Sequence, residues 1–240
     1  MKKQLLLVAA LLAALPLAAQ EERGSPPWTK RYEAMAVDTN SADGRSAFNA
    51  AVRASRDGNH AMADKYFTLS IARGYLPFSS HAGKAEALKE LGKIDEAIKT
   101  LEQGMKTGTE ADSLQRQKLE AMYVSVVLAR GRARLRENEI ARAAASYTLL
   151  TRMKRACWKM DGFIALGTLY TVHGNAILEG ITNKTGKRFA ARARERAADA
   201  FKKSRDYLDR AARLFPDDPR LLDARSRLDE SSRDESRRAR

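Results

Sequence analysis

Apolar and polar residues follow a helical period along most of this chain. In LGKIDEAIKTL, from Leu91 to Leu101, apolar residues recur at spacings of three and four, as on a helix with one buried face. A lone glycine, Gly92, interrupts this pattern, and a small residue, Ala97, follows it by five positions. Because glycine readily takes the left-handed backbone conformation that ends a helix, the stretch predicts two helices joined at Gly92.

The same arrangement recurs with a period of 34 residues. One unit starts at Gly44 and the next at Phe78, and each predicts two amphipathic helices with small residues where the helices approach closely. The low content of Pro and Gly, 6 and 14 in 240 residues, also favours helices over sheets. The positions that share the period are Ala51 and Ala85, Gly58 and Gly92, Ala63 and Ala97, Phe67 and Leu101, and Ser70 and Gly104.

The third unit is stretched. Its turn carries Glu137 and Asn138 instead of Gly, and about a dozen extra residues, 112–123, are expected to lengthen its first helix. The positions that correspond to the first two units are Gly131, Ala143, Tyr147 and Leu150.

A fourth unit opens with FIALGTLYTVHG, and an insertion at 175–196 is expected to delay its second helix. Pro219 suits the first turn of one more helix, from Arg220 to about Ser232, which would cap the stack. The matching positions of this unit are Phe163, Leu166, Gly167, Tyr170 and Gly174.

The turn LGKIDEAI resembles the L-G-x-Y-x-E-A turn of the tetratricopeptide repeat (TPR) family, with Ile94 in the aromatic position. The resemblance covers roughly Gly44 to Pro219. It implies an all-α fold, a TPR-like α-solenoid of antiparallel helix pairs with about four units and a C-terminal capping helix.

In the resembling family, the first helices line a concave face that holds an extended peptide or a helix of a partner protein. The mixture of apolar residues and Arg on this face suits an amphipathic partner segment. Family members that clamp a C-terminal carboxylate use Lys and Asn where this chain has Phe48 and Val52, so that activity is not implied. The exposed first-helix positions that the resemblance implies for the partner-binding face are Arg45, Phe48, Asn49, Val52, Arg56, Ser79, Ala82, Glu86, Lys89, Ser125, Leu128, Arg132 and Leu135.

The first 19 residues have the pattern of a secretory signal peptide. Lys2 and Lys3 precede an apolar run, Pro16 ends it, and small residues stand before Gln20. The run is shorter than the roughly 20 apolar residues that span a bilayer, so no transmembrane span is expected in the mature chain. A polar lead-in (20–43), the TPR-like domain (44–232) and a basic tail that frays (233–240) are expected to follow.

The net charge of +14 requires that an acidic partner be considered. Arginines recur at every second position in two places, Arg130 to Arg136 and Arg192 to Arg196. They predict either a solvated surface with stems over apolar neighbours or a patch for an anionic envelope component such as lipid, polysaccharide or acidic protein. Nucleic acid is disfavoured, because no aromatic residues interleave with these arginines and the chain is expected to be exported.

No motif of catalysis or cofactor binding stands out. The three histidines, His60, His81 and His173, have no second ligand at metal spacing, and GITNKTGKR fails the spacing of a phosphate-binding loop. The single cysteine, Cys157, is expected to be a buried thiol next to Trp158. No cofactor or metal is therefore expected.

These observations predict a non-catalytic protein-protein interaction scaffold of the periplasm, the cell envelope or the extracellular space. The binding of anionic envelope components through the Arg-rich helices is the alternative, and an enzyme is a third, less favoured class.

The predicted signal makes a direct prediction about the mature protein. When the chain is produced with its export machinery, intact-mass spectrometry should give an N-terminus near Gln20. An exported or membrane-bound product that retains Met1 would show that the segment is an anchor instead.

Overall fold

The fold is described by a computed structural model over residues 43–107, 113–182 and 185–238. The predicted signal (1–19) and residues 20–42 of the predicted lead-in lie outside the described residues.

Every regular element in the described ranges is an α-helix, and consecutive helices pack against one another. The expected all-α solenoid of helix pairs is therefore confirmed. The chain divides into two compact units, an N-terminal unit that ends at Val126 and a C-terminal unit that begins at Val127. In the described ranges the helices are α1 (Gly44–Arg56), α2 (His60–Ala72), α3 (Pro77–Glu90), α4 (Ile94–Gly104), α5 (Ser113–Arg136), α6 (Ile140–Thr151), α7 (Ala156–Glu179), α8 (Lys187–Ala212) and α9 (Pro219–Arg238).

Three of the turns within helix pairs share a left-handed residue. Gly58 and Gly92 have φ angles of 74° and 75°, and Asn138 has a φ angle of 60° at the corresponding place. The missing glycine of the third unit is thus replaced by Asn, which tolerates this conformation better than most residues because its short polar side chain can bond locally. The sequence pattern identified Glu137 and Asn138 as a departure, but the backbone conformation of the turn is kept.

Polar side chains cap the N-termini of the first two helices. The carboxylate of Asp43 accepts a hydrogen bond from the Ser46 backbone N–H at 2.7 Å, and the Asn59 side chain accepts one from Met62 at 3.2 Å. Each bond satisfies an N–H group that the helix itself leaves unpaired.

The core of the N-terminal unit forms around small residues. Ala63 and Ala97, which follow the two turn glycines by five positions, are both fully buried. Between α2 and α3, Ser70 and Ser80 are buried and their hydroxyl oxygens lie 2.9 Å apart. Small buried groups of this kind allow helices to approach closely without leaving polar atoms unpaired.

In the C-terminal unit, the long helices α7 and α8 pack along each other in a fixed register. The Thr171 and Ser204 hydroxyls lie 2.8 Å apart, and a Cβ added at Gly174 would lie 2.5 Å from the Phe201 ring. Gly174 therefore has to lack a side chain for the two helices to approach this closely.

An ion pair joins the start of helix α9 to α7. Arg220 donates to Asp161 at 2.8 Å and holds Asp218 with both Nη2 and Nε, at 3.0 Å and 3.1 Å. Such a bidentate, charge-assisted arrangement orients the start of the capping helix. The helix continues to Arg238, beyond the expected end near Ser232.

Several sequence expectations can be compared with these bounds. The lengthened first helix of the third unit is confirmed, because α5 has 24 residues. The insertion at 175–196 is divided between two helices. Its first residues extend α7 to Glu179, and its last ten residues form the start of α8, which begins at Lys187. The expectation that Cys157 is buried was wrong, because its side chain lies exposed near the start of α7.

The buried alanines predict a sharp difference between two neighbouring positions. Ala97→Glu should lower the free energy of unfolding by about 3 kcal/mol or more, because it places an unpaired charge between packed helices. Lys99→Glu, at an exposed position of the same helix, should cost less than about 1 kcal/mol. Urea titration of both variants measures the two values, and equal losses would contradict the assigned register.

Candidate binding surfaces

The expected partner-binding face of α1 is largely closed. Phe48 and Val52 are 0% and 1% exposed, and Asn49 is also buried. The Phe48 ring lies edge-on to Phe67 and Tyr75, with centroid distances of 5.7 Å and 5.9 Å. The prediction that these α1 residues are exposed was therefore wrong, because aromatic residues from α2 and from the loop after it pack on this side of the helix.

The exposed positions of the predicted face in the N-terminal unit are polar. Arg45 and Arg56 are exposed at the two ends of α1. On α3, Glu86 and Lys89 form an ion pair at 2.5 Å. A charge that is already paired offers less to a partner, so α3 presents a nearly neutral surface here. Three further predicted positions, Ser79, Ala82 and Ser125, are half-buried.

The predicted residues of α5 in the C-terminal unit serve mainly the fold. Leu135 is buried, and the half-buried Leu128 packs against the same apolar cluster. The half-buried Arg132 bonds back to the Leu128 carbonyl at 3.4 Å. The expectation that Leu135 is exposed was therefore wrong.

The arginines of α5 also have structural partners. Arg134 donates to the Ser146 hydroxyl at 3.2 Å and to the Arg142 carbonyl at 3.3 Å. These two bonds give the Arg134 guanidinium partners on α6. The second arginine group is different, because Arg192 and Arg196 are exposed on α8.

A cleft of about 380 Å³ opens between α6, α7 and α8 within the C-terminal unit. Its walls combine aliphatic side chains with one aromatic ring, one imidazole and three charged groups. The lining residues are Ile140 and Ala141 from α6, Tyr170, His173 and Ile177 from α7, and Arg196, Asp199, Ala200 and Lys203 from α8.

Cations lie over aromatic rings at the edge of this cleft. Tyr170 and Tyr207 stack with their ring centroids 5.9 Å apart and their planes 4° from parallel. The Lys203 ammonium lies 5.5 Å from the centre of the Tyr170 ring, and the Arg210 guanidinium lies 5.5 Å from that of Tyr207. These contacts hold both cations over ring faces by cation–π attraction.

Positive charge dominates the electrostatics of the cleft. Burial lowers the pKa of His173, and the neighbouring charges of Arg196 and Lys203 lower it further. Neither Arg196 nor Lys203 forms an ion pair within the part of the chain that the structure describes. Among the described residues, the two cations of the cleft therefore have no ion-pair partner, and Asp199 is the acidic residue among the lining groups.

Sequence reasoning identified only part of this site. Arg196 was in a predicted arginine group and Tyr170 was a repeat position, but Lys203, His173 and Asp199 were not selected. The residues come from α7 and α8, on both sides of the insertion, so no local spacing connects them. The one available signal was His173 itself, which stands one helical turn before Ile177.

Two further features concern the described residues only. The described residues contain no cluster of three or more His, Cys, Asp or Glu side chains that could hold a metal ion. None of their helices combines the length and the apolar character that crossing a membrane requires.

Comparison with known proteins gives one informative similarity. No protein-family model matches the chain, and no curated protein matches it. Among solved structures, the chain is similar to a TPR repeats protein from Bacteroides fragilis, with 26% sequence identity and a TM-score of 0.63. The alignment covers 81% of this chain and 84% of that chain.

The burial of Phe48 predicts its role. Phe48→Ala should lower the free energy of unfolding by about 3 to 5 kcal/mol, because it removes a buried ring from the core. Arg45→Ala, at an exposed position one turn earlier, should change it by less than about 0.5 kcal/mol. Urea denaturation measures both. An unchanged stability of the Phe48 variant would restore this residue as a candidate for partner contact.

Proposed function

We propose, from the premise that this chain is a TPR-like helical repeat protein, that it is a non-catalytic scaffold that binds a partner protein. The TPR fold suggests protein interaction, and the observation that supports this role here is the similarity to a TPR repeats protein over 81% of the chain. TPR folds are in general not enzymes. The cleft between α6, α7 and α8, with its charged, aromatic and aliphatic lining, is the surface that the scaffold would offer.

We also propose that the protein works after export, in the periplasm, the cell envelope or the extracellular space. The proposal rests on the basic start, apolar run and small residues of the first 19 positions. A scaffold in this location would join proteins of an envelope or secretion assembly.

A second candidate is the binding of an anionic envelope component. Helix α8 favours it, because this helix carries nine basic residues and four acidic ones. Arg192 and Arg196 are exposed there, so a polymer or lipid surface could reach them. Affinity from such contacts should fall steeply as salt is raised.

Affinity capture followed by titration separates the two candidates. The mature chain, immobilised, is exposed to envelope extract at low and at physiological salt, and captured proteins are identified by mass spectrometry. The purified partner is then titrated against the free chain. For a scaffold, we expect a single captured protein whose binding saturates and persists at physiological salt.

A matched variant gives this experiment its control. Arg192→Gln combined with Arg194→Gln removes two charges of α8 outside the cleft lining. Retention only on anionic lipid or polysaccharide, lost in salt and weakened in this variant, would contradict the scaffold and favour the second candidate.

A further inference from the structure

The cleft between α6, α7 and α8 combines positive charge with apolar walls. Arg196 and Lys203 stand one above the other on α8 at a spacing of seven residues, which is two helical turns. Ile140 and Ile177 supply aliphatic surface from the two facing helices. A ligand that satisfies both features must carry negative charge on an apolar stem.

Asp199 restricts the charge of that ligand. It lies between the two cations on the same helix and also lines the cleft. A doubly charged phosphate would meet this carboxylate at close range, and like charges repel. An acidic peptide carries a single negative charge on each acidic side chain. Its backbone N–H groups can in addition donate hydrogen bonds to the Asp199 carboxylate.

The shape of the cleft argues against a membrane. The Tyr170 ring and the Ile177 side chain are half-buried within a recess, where the plane of a bilayer does not reach. Membrane contact needs apolar side chains that project outward. Phe189, which is 73% exposed near the start of α8, has that property, and it does not line the cleft.

The cleft also differs in position from the face expected for this kind of repeat. Its walls are the second helices α6 and α8, and α7 is the first helix between them. The expected partner face consists of first helices only. The cleft is therefore a separate surface of the C-terminal unit.

We infer that this cleft binds an acidic segment of a partner protein, with Glu or Asp side chains held by Arg196 and Lys203 and their stems on Ile140, Tyr170 and Ile177. This inference deepens the proposed scaffold and rests on it. The Asp199 carboxylate accepts a hydrogen bond from a backbone N–H of the segment. The Tyr170 ring, which stacks on Tyr207, keeps Lys203 in place. His173 lies beside the bound carboxylates.

His173 reports occupancy of the site. The groups that face it are Tyr170 on its own helix and Arg196, Asp199 and Lys203 on α8, and the α6 lining residues do not ionise. Burial, and after it the two cationic neighbours, lower the pKa of His173 and favour the neutral ring in the free protein. A bound carboxylate favours the charged ring, so the imidazole should titrate at a higher pH when the site is filled.

The probe is a synthetic peptide of alternating Glu and Leu, acetylated and amidated so that its ends carry no charge. The full mature chain, isotopically labelled, is titrated with this peptide and with its Gln–Leu counterpart, while calorimetry gives Kd and NMR follows the His173 ring. The Glu peptide should bind, raise the pH at which His173 titrates and bind at least about tenfold more tightly than the Gln peptide.

Two double variants of equal charge make the test specific. R196Q/K203Q should weaken binding about tenfold or more, because it removes both cations that face the ligand. K202Q/R205Q removes two cations of the same helix that do not line the cleft, of which Arg205 forms only an exposed ion pair with Asp229 at 3.9 Å, and it should change Kd less than about twofold. Circular dichroism melting of each variant confirms that it is folded.

Each remaining outcome has a definite meaning. Equal effects of the two double variants, equal affinity for both peptides, or no binding of the Glu peptide would overturn the inference. Binding to phosphatidylglycerol vesicles that is lost in Phe189→Ser, without peptide binding, would assign a membrane ligand instead. If the captured partner protein binds R196Q/K203Q as tightly as the parent chain, the scaffold stands and only the cleft assignment fails.

Discussion

The close approach of two helices at a buried alanine is the constraint on which the rest of the structure depends. Ala63, Ala97 and Ala143 are all fully buried, and each follows a left-handed turn residue by five positions. The turn fixes where the second helix begins, and the alanine fixes how near it lies to the first. A larger side chain at these places would separate the backbones and open the packing of neighbouring helices.

The fold could be predicted because this constraint leaves a periodic trace in the sequence. Small or apolar residues at a spacing of 34 identify the first two helix pairs, and even the third turn keeps its backbone conformation when Asn138 replaces Gly. The exposure of Phe48 could not be predicted in the same way. Periodicity assigns a residue to a helix face, but Tyr75, which packs edge-on against Phe48, comes from a loop outside the helical pattern.

The cleft escaped prediction for a related reason. Its groups are brought together by the register of α7 on α8, which the buried contacts of Thr171 with Ser204 and of Gly174 with Phe201 fix. That register depends on how the insertion at 175–196 is divided between the two helices. A spacing in the sequence cannot show this division, so His173 and Lys203 had no visible relation before the packing was known.

Charge compensation differs among the charged groups of the described residues. Glu86 and Lys89 neutralise each other on α3, and Arg220 is held by Asp161 and Asp218 at the start of α9. Those pairs fasten helices or balance a surface, so they need no ligand. Arg196 and Lys203, both exposed, form no ion pair among the described residues, and the pKa of the His173 imidazole beside them is lowered by burial and then by these two cations. Two exposed cations beside the apolar walls of a cleft are an arrangement that a complementary acidic partner would stabilise, which is why we propose the cleft as the binding surface.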